Sequence, residues 1–137
     1  VVMAVAACGS DTSTGPGSGN SPDTPVGTYA LTSVNGKPLP VTMFSDTEFT
    51  EVIAKASLAL QTDGKYQAIV TTNETIAGNL SVYVDTSAGT WKQGTTASAL
   101  VLTSTDDPSM PTIGAIWSGK TITLTDADSA KWVFTRP

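Results

Sequence analysis

From Val26 onward the chain alternates apolar and polar residues in short runs, each cut by Gly, Asn, Asp or Pro. A period of two places successive side chains on opposite faces, so runs of this kind form strands. Tyr29, Leu31 and Ser33 fall on one face of a first strand. Asn35-Gly36 makes a tight turn after it. Pro38 and Pro40 have no N–H to donate and interrupt regular pairing just beyond. A long run over residues 50–62 carries Leu58 and Leu60 on one face and Ser57, Ala59 and Gln61 on the other. Asp63-Gly64 turns the chain back into a strand over 65–72, where Tyr66, Ala68 and Val70 share a face. Further strands are expected over 80–84, around Trp91, and over 99–103, 113–117, 121–125 and 131–136. Ser45-Asp46-Thr47-Glu48 matches a helix capping box, so a short helix within 42–55 competes with the strand reading there.

Connections this short permit only antiparallel neighbours. The fold class expected is therefore all-β: an antiparallel up-and-down meander of eight or nine strands that closes into a barrel, which removes exposed edges. A β-sandwich is the alternative architecture.

Ahead of this domain the texture differs. Residues 1–7 are continuously apolar and end in Ala6-Ala7, and Cys8-Gly9-Ser10 follows. Such a run has the character of the end of a secretory signal. Val5-Ala6-Ala7-Cys8 resembles the bacterial lipobox, in which a small residue precedes a cysteine that takes a diacylglycerol. That reading expects a charged n-region upstream of Val1. Cys8 is the single cysteine of the chain, so no internal disulfide can form. Acyl chains there, at about 0.8 kcal/mol per buried methylene, would anchor the protein to a membrane.

Residues 9–25 are Gly, Ser, Thr, Pro, Asp and Asn throughout. They read as a tether with a reach on the order of 20–25 Å. The organisation expected is a signal end over 1–8, the tether over 9–25 and the barrel domain over 26–137. Gly9 stands after the cysteine, where Asp would favour retention at the inner membrane. Lipoprotein precedent therefore implies the outer membrane of the cell envelope.

The two ends of the domain resemble the lipocalins and lipocalin-like barrels of the calycin group. Those barrels open on Gly-x-Trp and close on a basic residue packed over that ring. Gly27-Thr28-Tyr29 and Phe134-Thr135-Arg136 stand in the same places, with Tyr29 where Trp is usual. The spacing of Val34-Asn-Gly-Lys-Pro-Leu-Pro40 and the Leu60-x-x-Asp-Gly-x-Tyr66 hairpin also look like lipocalin-like lipoproteins. The resemblance implies a closing pair, Tyr29 and Arg136. It also implies a ligand cavity lined by Leu31, Leu58, Leu60, Tyr66, Trp117, Trp132 and Phe134. Trp91 is the aromatic most easily placed outside the barrel.

Chemistry is sparse. The chain has no His, which excludes Ser-His and Cys-His nucleophile pairs and the common zinc sites. The net charge of -5 argues against a nucleic-acid partner. The carboxylates at Asp106-Asp107 and Asp126-x-Asp128 fall at expected turns, where Asp bonds its own backbone. A calcium loop at Asp126-x-Asp128-Ser129 lacks the full ligand spacing. No cofactor, metal or enzymatic activity is expected. The expected function is a membrane-anchored lipoprotein whose barrel binds a small apolar or amphipathic ligand. The alternative is an interaction or inhibitor protein that contacts another envelope protein or a protease through loops such as 106–111. Nothing in the sequence sets the oligomeric state, and a monomer is the expectation.

Overall fold

The structure, a computed structural model, describes residues 24–109 and 112–137. Cys8, the segment 1–8 and residues 9–23 of the tether lie outside them. So do Met110 and Pro111.

Ten strands follow one another: β1 (Gly27–Val34), β2 (Lys37–Pro38), β3 (Val41–Ser45), β4 (Phe49–Leu60), β5 (Lys65–Ile76), β6 (Asn79–Gln93), β7 (Ala99–Ser104), β8 (Ile113–Ser118), β9 (Thr121–Thr125) and β10 (Lys131–Thr135). From β3 to β10 each strand pairs antiparallel with the next, β10 returns to β1, and β1 pairs with β4. That last pairing sets Tyr29 opposite Leu58 and closes an eight-stranded barrel of β1 and β4–β10. β2 and β3 are additions at its rim.

The barrel interior is where the alternation points. Leu58, Leu60 and Tyr66 are buried with Leu100, Leu102, Ala115, Ile122 and Phe134. Each side chain of this size stabilises the fold by about 1.5–3 kcal/mol on full burial. Asn35 and Gly36 both have positive φ, as the tight turn between β1 and β2 requires.

Four features depart from the sequence reading. No helix forms at the capping box. Asp46 Oδ1 instead accepts from the N–H groups of Glu48 (2.8 Å) and Phe49 (2.7 Å), making the turn from β3 into β4. The Ser45 hydroxyl that would cap a helix here lies against the Thr50 hydroxyl instead, and the residues that follow pair with β5. Second, the register of β1 slips between Leu31 and Ser33. The extra residue shifts the alternation by one, so Val34 enters the core and Ser33 leaves it.

Third, Lys37–Pro38 still pairs with Ser33–Val34, so the first proline does not prevent pairing. Fourth, the expected strands over 80–84 and around Trp91 are one 15-residue strand, β6. The hairpin that starts it is Ala77-Gly78, both at positive φ. Trp91 faces inward on β6. It packs against the core and donates its indole N–H to the Gln61 carbonyl at 2.9 Å.

β4, β5 and β6 are 12, 12 and 15 residues long, against 5 to 8 for the other strands of the barrel. The surplus of β4–β6, with β3 at its side, stands beyond the barrel wall as an overhang. There Met43, Phe44, Ile76, Leu80, Val82, Tyr83 and Val84 are exposed.

Candidate functional site

The two ends of the domain meet at Tyr29 and Arg136. The Arg136 guanidinium lies 5.5 Å from the centre of the Tyr29 ring, a cation–π contact. Its Nη1 donates to the Val26 carbonyl at 2.9 Å, and the Tyr29 hydroxyl donates to the Pro25 carbonyl at 2.8 Å. Gly27 has φ +147°, and a Cβ there would press on the guanidinium at 3.4 Å. Its place ahead of Tyr29 therefore has both a backbone and a packing cause. Burial pushes the Tyr29 phenol above its ordinary range, with the Arg136 charge and the Trp117 side chain pulling the other way. Pro25, which the sequence reading places in the tether, thus has its carbonyl engaged by the barrel.

The residues expected to line a cavity come together, and they come together as core. Leu31, Leu58, Leu60, Tyr66 and Phe134 belong to the buried cluster, and Trp117 and Trp132 pack against it. The two indoles point their N–H groups to the rim: Trp117 to the Gly119 carbonyl and Trp132 to Asp126 Oδ2. Gly89 was not singled out by the sequence, yet the packing depends on it. It sits opposite Tyr66, and a Cβ there would collide with the Tyr66 ring and the Thr103 carbonyl. The sequence signal was a glycine two residues ahead of Trp91, and a glycine inside a strand marks close backbone approach.

The carboxylates at the turns are engaged by backbone. Asp126 Oδ1 accepts from the N–H groups of Asp128 and Ala130, and Asp107 Oδ1 accepts from Ser109. Asp106 Oδ2 accepts from the Ala88 N–H at 2.6 Å. The loop 106–111 is described only as far as Ser109.

A cavity of about 930 Å³ lies elsewhere, on the outer wall of the barrel over β6–β10. Strand pairing explains it. Lys92, Val101 and Gly114 lie opposite one another across β6, β7 and β8, and Ala99, Ile116 and Thr123 do so across β7, β8 and β9. These positions alternate with buried Leu100 and Ala115, so they face outward. The small residues Gly94, Ala99 and Gly114 leave a trough, and a Cβ on Gly114 would meet nothing within 4 Å. Lys92 and Lys131 both line the trough, and among the described residues no carboxylate does. A smaller cavity of about 260 Å³ beside Tyr66 and Gly89 shares none of these residues.

No protein-family model matches this chain, and no curated protein matches it either.

Proposed function

We propose that this protein is a non-enzymatic binding lipoprotein of the cell envelope, lipid-anchored through Cys8. Its lipocalin-like barrel takes an amphipathic anion, such as a single-chain fatty acid, in the trough on its outer wall. The carrying observation is the trough itself. It has an apolar floor of Val101, Ala99 and Ile116, and among the described residues Lys92 and Lys131 line it while no Asp or Glu does. Its volume of about 930 Å³ falls in the range of small-molecule sites. The sequence reading expected the ligand among Leu58, Tyr66 and Trp132. Their burial in the core favours the outer wall instead.

The anchor rests on sequence: the lipobox-like Val5-Ala6-Ala7-Cys8, the lone cysteine and the polar tether. Gly9 favours the outer membrane. Expression behind a complete signal followed by mass spectrometry tests it. The mature product should begin at Cys8 and carry acyl mass, and an unmodified Cys8 would end the claim.

The ligand claim is tested by titrating the chain with a fluorescent long-chain fatty acid. Saturable binding is expected. Gly114→Leu puts a branched side chain into the trough from a Cβ position with nothing within 4 Å, and should weaken binding at least about tenfold, one factor of ten being ~1.4 kcal/mol. Lys92→Glu and Lys131→Glu should each cost about two- to fivefold, the scale of exposed charge pairs. Binding indifferent to all three substitutions would refute the site.

A further inference from the structure

The edge of β6 carries a second, independent inference. β6 pairs with β7 only from Gly89 to Gln93, and with β5 along Asn79–Thr90. Ala88 aims both main-chain groups at the β7 side: its N–H goes to Asp106 Oδ2 and its C=O accepts from the Thr105 N–H at 3.0 Å. Alternate residues of a strand aim their main-chain groups the same way. Thr86, Val84, Val82 and Leu80 therefore turn their N–H and C=O groups to that side, where no described strand follows.

The side chains of these residues face outward as well. Leu80, Val82 and Val84 are 64%, 59% and 63% exposed. Folded proteins guard open edges with lysine, proline or a bulge. Residues 79–86 carry no proline and no cation, Asp85 is their one charge, and the pairing with β5 runs through them without a slip.

We infer that this edge pairs antiparallel with the same edge of a second copy, about a two-fold axis at Tyr83. In that register Leu80 lies opposite the partner's Thr86, and Val82 lies opposite the partner's Val84. Every outward main-chain group from Leu80 to Thr86 then finds a partner. Tyr83 meets the partner's Tyr83, and Asp85 meets the partner's Ser81, so no like charges oppose. A closed two-fold contact needs a patch complementary to itself, and this segment satisfies that condition. An unrelated partner would have to supply an equally bare strand. The dimer replaces the monomer expected from the sequence and joins the two overhangs into one continuous sheet.

The test is sedimentation velocity of the full 137-residue chain carrying Cys8→Ser, which removes any disulfide route to a dimer. A concentration-dependent monomer–dimer equilibrium is expected. Val82→Lys installs a missing edge guard and should weaken it at least about thirtyfold. Val84→Pro deletes only an outward N–H, which an edge strand tolerates, and should do the same. Thr28→Lys, exposed on β1 and outside both the trough and the edge, should leave it unchanged. A chain that stays monomeric throughout would overturn the inference. So would a dimer that survives both edge substitutions.

Discussion

The barrel body and the overhang are built from the same three strands and obey different rules. In the body, β4, β5 and β6 have neighbours on both sides. Their inward residues Leu58, Leu60 and Tyr66 are buried, and Gly89 admits the Tyr66 ring. In the overhang the same strands run on with β3 at one edge and nothing described at the other. Met43, Phe44, Ile76, Leu80, Val82, Tyr83 and Val84 remain in solvent there, while the cross-strand pair Val41 and Ile53 is buried. Similar residue types thus contribute a core in one half and an unpartnered surface in the other. Covalent alternation is shared, and closure is what separates them.

That difference can be broken most forcefully inside the barrel. Leu58→Ala removes a side chain with 0% exposure and should cost about 2–5 kcal/mol in a chemical denaturation series. Leu80→Ala, at 64% exposure on the overhang, should stay within about 0.5 kcal/mol. Equal costs would dissolve the distinction.

Gly89→Ala comes next. Its Cβ has no space between Tyr66 and Thr103, so overpacking should cost about 1–3 kcal/mol. Gly78→Ala, at the overhang hairpin, has open space around it and pays only for its positive φ. Its smaller loss, about 1 kcal/mol, would show up in the same denaturation series.

The closing pair offers a smaller effect with a pH signature. Tyr29→Phe leaves the Pro25 carbonyl without its donor and should cost about 1–3 kcal/mol near neutral pH. The Tyr29 phenol is raised in the folded state, so folding favours its protonated form. Its contribution is full below the unfolded phenol value near 10 and is lost as pH rises through the higher folded value. Alkaline titration of stability should therefore be steeper in the parent than in Tyr29→Phe. Asp46, on the overhang, works in the opposite direction. Two backbone N–H groups hold its carboxyl below the ordinary value. Its contribution is present above the unfolded carboxylate value near 4 and fades as pH falls through the lower folded one. Asp46→Ala should flatten the acid limb slightly, the smallest of these effects.

Much of the body was legible in the residues. Asn35-Gly36 and Asp63-Gly64 turn where glycine-containing pairs must, and the alternation in β4, β5, β7 and β9 points the right side chains inward. Arg136 lies over the Tyr29 ring and bonds the Val26 carbonyl across 110 positions. The overhang was legible only in part: 50–62 and 80–84 read as strands, and the continuity of β6 did not. Asp85 and Thr86 read as a break between strands, because polar residues on an exposed strand look like loop. The capping box misled for a related reason: an Asp that bonds N–H groups two and three residues on serves a turn as well as a helix.

The sequence by itself determined the strand character, most turns, the inward set of the body and the residues able to close it. These depend on local periodicity and backbone chemistry. The tertiary structure alone decided where alternation slips, as at Leu31/Ser33, and which apolar rows find cover. It also decided that Lys92, Gly114 and Lys131 line one trough. Those outcomes depend on which strand lies alongside, and a period of two carries no information about its neighbour.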